Sequence, residues 1–214
     1  MATDATQRPN QRQRRSDGAR SHETILRAAA QLATVEGIDG LSLGRLAEHI
    51  GMSKSGLFAH FGSKEELQLA TVEKAQEVFN AEVVAPALAE TEGLRRVEAL
   101  GERFLSHVER EVFAGGCFFA SVSAEVDTRP GAIHELIVAV QHGWWEMIES
   151  GVKTAQESGE LDPHADSRQL TFELNAMLTQ GNASWLIFRD RSAFDMARRG
   201  FADRLERAHP ARPS

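Results

Sequence analysis

Cysteine is almost missing from this 214-residue chain, and the single Cys117 cannot form an intrachain disulfide, which fits a reducing cytoplasm. No N-terminal apolar segment follows a basic start, and no uninterrupted apolar run approaches the ~20 residues a membrane span needs. A soluble, cytoplasmic protein with no membrane partner is expected. The eight histidines are scattered, with no His-x-x-x-His pair and no Cys/His cluster, so no metal ligands are predicted. A phosphate-cradling glycine loop is also lacking, and no cofactor is expected. Cys117 follows Gly115-Gly116 near a helix start, a setting that lowers a thiol pKa, yet its other flank is Phe118-Phe119. An inert buried thiol is the simpler reading, and no catalytic residue is predicted.

Convincing strand runs, internal repeats and low-complexity segments are absent as well. What remains is helical periodicity throughout, so the expected fold class is all-α. The net charge of −7 conceals an asymmetry. Residues 1–64 carry nine Lys/Arg against six Asp/Glu, a net +3, whereas residues 65–214 carry fifteen against twenty-five, a net −10. A basic end suits contact with phosphates, and the acidic remainder can stay clear of them.

Residues 1–18 hold no large apolar residue after Met1 and are expected to be disordered. Their Arg8, Arg12, Arg14 and Arg15 belong either to a solvated tail or to an arm that folds onto DNA. A first helix is predicted from about Ser21 to Glu36, with Ile25, Ala29, Leu32 and Ala33 on one face and Gly37 ending it. Leu43, Leu46, Ala47 and Ile50 then follow helical spacing, with Ser42 as N-cap and Gly51 where a left-handed C-cap is needed. Ser53 caps a very short helix that sends Leu57 and Phe61 inward. Two turns of helix are not stable alone, because nucleation costs more than so few hydrogen bonds return. The outward residues Ser53, Lys54, Ser55, Gly56 and His60 are small, polar or basic, as a helix destined for a DNA groove requires.

Ser63 and Glu66 have capping-box spacing and open a fourth helix predicted to run to about Val84, stopping before Pro86. Further helices are predicted near 94–113, 117–126, 131–158, 166–189 and 192–207, separated by Gly- and Pro-containing breaks. On the last two, Leu170, Leu174, Met177, Leu178, Gly181, Trp185 and Phe188 form one apolar stripe, and Phe194, Ala197, Phe201 and Leu205 another. Such stripes either pack on their own domain or complete a bundle with a second copy of the chain. A homodimer through these two helices is expected, because a helix-turn-helix reader normally needs two half-sites.

Residues 20–81 resemble the N-terminal domain of the TetR family of transcriptional regulators. The resemblance runs through Ala28-Ala29-Ala30, Leu32, Gly37, Leu41-Ser42-Leu43 and Leu46-Ala47. It continues through Gly51-Met-Ser53-Lys-Ser-Gly-Leu57-Phe58, His60-Phe61 and Ser63-Lys64-Glu65-Glu66-Leu67. Where family members usually read Gly-Val-Ser-x-Gly-x-Leu-Tyr, this chain has Met52 for the valine, Ser55-Gly56 for the usual Gly-x, and Phe58 for the tyrosine. The last change removes a hydroxyl that commonly donates to a phosphate, which leaves Phe58 as a packing or backbone-proximal residue.

The resemblance implies a three-helix DNA-binding domain over 19–81, preceded by a basic arm over 1–18. It further implies an all-helical effector-binding and dimerisation domain over 82–214. The recognition helix would span about Ser53 to His60 and read a pseudo-palindromic double-stranded operator. Lys54 and Ser55 are candidates for base edges, Lys being able to reach guanine O6/N7. Gly56 permits close backbone approach, and His60 and Lys64 stand where phosphate clamps are expected, with Ser42 and Arg45 clamping from the preceding helix. Each also has a plainer role: the serines cap helices, the lysines are solvated, and His60 packs on the first helix.

For the C-terminal part the resemblance implies a pocket for a small-molecule effector that alters the separation of two reading heads. Candidate wall residues are Phe104, Phe113, Cys117, Phe118, Phe119, Trp144, Trp145, Met147, Met177 and Trp185, a lining that serves equally well as core. Trp144 and Trp145 point about 100° apart on a helix, so at most one of them faces a given cavity. The effector is expected to be largely apolar, with His107, Gln141, His142 and Asn175 as polar candidates. The implied function is that of a ligand-responsive repressor rather than an enzyme.

Overall fold

The computed structural model describes residues 11–126 and 130–210. Helix α1 spans Gln11–Glu36, ten residues longer at its start than the sequence suggested. Gln11 to Arg15 are good helix formers, and once the buried face from Ile25 onward is anchored, elongation needs no new nucleus. Residues 11–18 are therefore helical backbone rather than a disordered arm; the expectation for residues 1–10, Arg8 included, lies outside the described residues. α2 covers Leu43–Ile50 and α3 Lys54–Phe58, and α4 covers Lys64–Phe79. Ile25, Ala29 and Ala33 of α1, Leu46 of α2, Leu57 of α3 and Leu67 of α4 meet in a small core with almost no exposure.

Pro86 does not stop the fourth helix. Asn80–Val84 forms a π-helical turn that leads directly into α5, Ala85–Leu88. Proline lacks an N–H and its ring crowds the carbonyl four residues back, so it disrupts a regular α-helix. Widening the preceding turn accommodates that loss without leaving right-handed helical backbone.

α6 spans Leu94–Glu109 and ends four residues earlier than predicted. Glu111 adopts a left-handed φ of 51°, and the chain turns through 110–117 before α7, Phe118–Val126. α8 (Ala132–Glu157), α9 (Ser167–Phe188) and α10 (Ser192–Glu206) complete the chain within a residue or two of their predicted limits. Asp166 caps α9 by accepting from the Arg168 and Gln169 amides. α9 packs most extensively on α10 and also on α8 and α6, while α4 packs on both α1 and α8.

The two C-terminal stripes are largely consumed within the chain. Leu170, Leu174, Leu178, Trp185, Phe194, Ala197, Phe201 and Leu205 are all buried in its own core. Gly181 allows this close approach, since a methyl there would stand 2.8 Å from the Ala197 Cβ. The exceptions are Phe188, at 72% exposed, and the half-buried Met177. Among the described residues no helix is long and apolar enough to cross a membrane.

Candidate nucleic-acid interface and buried cavity

Local sequence builds the α2–α3 unit as the caps predict. The Ser42 hydroxyl accepts from the Arg45 amide at 3.3 Å and Gly51 closes α2 at φ 68°. The Ser53 hydroxyl accepts from the Gly56 amide at 3.1 Å, and Ser63 accepts from Glu66 at 3.0 Å. Each such cap is worth about 1 kcal/mol, which matters for a helix as short as α3. The Glu66 carboxylate reaches back to the Gly62 amide at 2.9 Å, one residue before the cap, rather than to Ser63.

α3 ends at Phe58, so Ala59 and His60 lie in the following turn and not on the recognition helix itself. Leu57 is fully buried and Phe61 nearly so, which fixes the opposite face outward. That face carries exposed Ser53, Lys54 and Ser55, together with Phe58 at 50% exposure and a half-buried Gly56. Phe58 therefore has little packing role here and presents an aromatic ring to solvent.

The remaining predicted interface residues have protein partners. Arg45 is paired with Glu36 at 2.5 Å and Glu48 at 3.0 Å, and its hydrogen bonds hold the Glu36 carboxyl below its usual pKa. His60 is half-buried with its ring 6.0 Å from that of His22 on α1, and His22 stacks on Phe61 at 4.9 Å. The Lys64 ammonium donates to the Asp39 carbonyl at 2.6 Å, tying the start of α4 to the turn after α1.

That turn, residues 37–40, is held from three sides. Besides Lys64, Gln68 of α4 donates to the Ile38 carbonyl at 2.5 Å. From α7, the Glu125 carboxylate accepts from the Asp39 amide at 3.3 Å, and burial pushes its pKa above the usual carboxylate value. Three and six residues upstream of that turn, at Thr34 and Gln31, the 110–117 loop is latched to α1. The Gln31 side chain donates to Val112 O at 2.6 Å and accepts from Ala114 N at 2.9 Å, and Thr34 Oγ1 accepts from Gly115 N at 3.1 Å. The sequence reading took Gly115-Gly116 only as a helix break. An isolated glycine pair can also signal close backbone approach, which is how Gly115 is used.

Between α4, α6, α7, α8 and α9 lies a small cavity of about 30 Å³, bordered by Phe79, Phe104, Cys117, Phe119, Ala120, Val140, Gln141, Trp144, Asn175 and Thr179. Four of the ten predicted wall residues line it: Phe104, Cys117, Phe119 and Trp144. Phe113 and Phe118 are buried next to each other in the surrounding core. Met147 is half-buried elsewhere on α8, and Met177 lines a separate groove between α9 and α10. Trp185 packs on Phe194 under the Arg189 guanidinium. Trp145, turned about 100° from Trp144, lines an outer groove between α7 and α8 instead. Burial pushes the Cys117 thiol up to about 11, so it is not a thiolate at neutral pH.

The hub of the cavity is Phe79, the last residue of α4. Its ring lies 5.9 Å from Phe119 and 5.4 Å from Trp144 in edge-on geometry, and 6.3 Å from Phe104. The polar members are neutral: Trp144 Nε1 donates to Asn175 Oδ1 at 2.9 Å, and Gln141 donates to Ser123 at 2.9 Å. No periodicity in the sequence distinguishes Phe79 from any other core residue.

Comparison with known proteins gives a consistent picture. The family model for bacterial regulatory proteins of the tetR family matches residues 25–71, and that for the tetracyclin repressor-like C-terminal domain matches residues 93–201. The HTH-type transcriptional repressor Rv1353c of Mycobacterium tuberculosis is 34% identical over 67 residues, 31% of this chain and 26% of the relative. The match thus spans about a quarter of that relative's length. A TetR transcriptional regulator from Chloroflexus aurantiacus shares the fold at a TM-score of 0.82 and 25% identity, covering 89% of this chain and 96% of the other. AibR, solved in complex with isovaleryl coenzyme A and operator DNA, matches at 0.69 and 22% over 84% of this chain and 94% of its own.

Proposed function

Because the chain belongs to the TetR family of transcriptional regulators, we propose that it is a homodimeric repressor that leaves a pseudo-palindromic operator when a small, largely apolar effector binds. One observation carries the DNA-binding part. α3 buries Leu57 and keeps Ser53, Lys54, Ser55 and Phe58 on an exposed face at the start of a capped helix. Lys54 and Ser55 are the base-edge residues, with the α3 N-terminus and Lys64 close to phosphates. Phe58 takes the place of a hydroxyl donor and makes apolar contact with sugars or a thymine methyl. Arg45 serves chiefly to lock α2 onto α1, because its guanidinium is committed to two carboxylates. Residues 19–81 form the reading head and 82–214 the effector and dimerisation part.

The dimer reading rests on the outer edge of the two stripes, where they meet exposed apolar residues beside them. α9 and α10 leave Phe172 and Met196 more than half exposed beside a 520 Å³ groove floored by Met177, Gly181, Ala193 and Ala197. Two such self-complementary faces suit a two-fold interface. The effector reading is supported by the small aromatic-lined cavity and by the ligand-bound state of the similar AibR.

The test is titration of the protein into the DNA upstream of its own gene and into a random fragment at physiological salt. Specific regulation requires clear preference for the upstream DNA, and equal protection of both would refute it. Within that assay Lys54→Ala weakens specific binding by about 1–3 kcal/mol while leaving non-specific binding little changed.

A further inference from the structure

His107 is fully buried on α6, one turn beyond Phe104, and neither of its ring nitrogens has a hydrogen-bond partner. Its ring meets the Phe79 edge at 5.7 Å and the Phe113 ring at 5.7 Å. Phe79 therefore separates the aromatic cavity from an unsatisfied imidazole. Burial holds that imidazole at about 4, so it is neutral at pH 7. The nearest charges, Glu82 and Arg110, are already paired with each other at 2.6 Å.

A cavity of about 30 Å³ has room for roughly one water, so any effector must first make space. Phe79 is placed to yield it. The residue sits at the junction of α4 and the π-helical turn, where the hydrogen-bond register already changes. Displacing its ring enlarges the cavity toward His107 and pushes directly on the end of α4, the helix that begins at Lys64.

Resting on the ligand-responsive reading above, we propose that the effector is an uncharged, ring-sized molecule with one hydrogen-bonding oxygen, that it turns Phe79 aside, and that its oxygen pairs with His107. The body of the ligand stacks among Phe104, Phe119 and Trp144. Gln141 and Asn175 are neutral and already engaged with Ser123 and Trp144. A carboxylate entering this site would lose its hydration without gaining a cation, which excludes acids. A molecule without any oxygen would leave His107 unsatisfied and bind more weakly.

The test uses calorimetric titration of the full chain at pH 7.5 with three probes of equal ring size: 2-naphthol, naphthalene and 2-naphthoate. The expected result is binding of 2-naphthol about tenfold or more tighter than either of the others. His107→Leu should reduce 2-naphthol to the naphthalene level and leave the protein folded with a raised thermal midpoint. His107→Gln, which retains hydrogen-bonding capacity, should recover part of the preference. Phe79→Ala should tighten naphthalene binding by opening the cavity beforehand. Equal or tighter binding of 2-naphthoate, unchanged 2-naphthol affinity in His107→Leu, or no binding of any probe would each overturn the proposal. Operator release is read separately by fluorescence anisotropy. Binding of 2-naphthol without release would overturn the ligand-responsive reading but keep the site chemistry, whereas release by an acid alone would do the reverse.

Discussion

Gly115→Ala and Gly143→Ala make the same chemical change and should move stability in opposite directions. At Gly115 an added methyl would stand 2.7 Å from the Thr34 Cβ and closer still to the Thr34 carbonyl, which belongs to the α1 backbone. Backbone cannot rotate away as a flexible side chain can, so the 110–117 loop must lift off α1. Overpacking of this kind costs about 1–3 kcal/mol. Lifting also breaks the Gly115 N to Thr34 Oγ1 hydrogen bond, and a buried amide left unpaired adds about 1–3 kcal/mol. The expected loss is therefore about 2–6 kcal/mol, a large part of the stability of a typical domain. Gly143 lies in the middle of α8, exposed, with nothing within 4 Å of the added methyl. There alanine should stabilise by up to about 1 kcal/mol, through helix propensity and reduced freedom of the unfolded chain. Urea unfolding followed by circular dichroism measures both. A loss below about 1 kcal/mol for Gly115→Ala would refute the close approach of loop and helix, and destabilisation by Gly143→Ala would refute the open environment of α8.

Stability should also fall on mild acidification because of His107. Its pKa is lowered by burial to about 4 from 6.5, so between those values the unfolded chain binds a proton that the native chain does not. Unfolding is then favoured as pH falls, by about 2 kcal/mol between pH 7.5 and 5, and urea midpoints of the wild type and His107→Leu should diverge over that interval. Lys64→Ala should weaken binding to all DNA sequences alike and lower the salt dependence by about one counterion, measured by anisotropy across a salt series; an unchanged slope removes Lys64 from the phosphates. Phe172→Glu, on the exposed α9 face, should convert dimer to monomer in sedimentation velocity at micromolar concentration while leaving the helix content intact. A dimer unaffected by it would place the interface elsewhere.

Much of the fold was legible because its punctuation is chemical. Ser42, Ser53, Ser63 and Asp166 each cap the helix that follows them, and Gly37 and Gly51 both take positive φ where the sequence placed helix ends. Pro86 misled because a π-helical turn can absorb a proline that a regular helix cannot, and hydrophobic periodicity does not report that turn. The end of α6 was misplaced because Val112 and Phe113 keep an apolar pattern while Glu111 has left the helix. The candidate site was legible where exposure follows from periodicity, as for Ser55 opposite Leu57. It was not legible where partners come from distant segments. Arg45 meeting Glu36 and Gln31 meeting Val112 are both consequences of packing that spacing alone does not contain, whereas the packing of His60 on the first helix was one of the two roles its position suggested.

Two attachments converge on the reading head, and their geometry constrains how an effector can act. α4 carries Phe79 at one end and, at the other, Lys64 and Gln68 bound to the carbonyls of Asp39 and Ile38. α7 carries Phe119 in the cavity wall and Glu125 on the Asp39 amide. A ligand that moved only α4 would have to strain or break the Glu125 contact, since the 37–40 turn is held by both helices. A ligand that separated Phe79 from Phe119 would pull the two anchors of that turn in different directions. Only differential binding to the displaced arrangement can drive such a change. On the reading proposed here, the effector acts by widening the Phe79–Phe119 gap, and the turn that precedes Ser42 transmits the displacement to α2 and α3. Glu125→Gln then becomes informative, because it keeps the shape of the α7 anchor while weakening its acceptor. The variant should retain operator affinity without effector and need less effector for release, as an anisotropy titration would read. Unchanged effector demand would mean that release does not strain the Glu125 contact with the Asp39 amide, and would refute transmission through this turn.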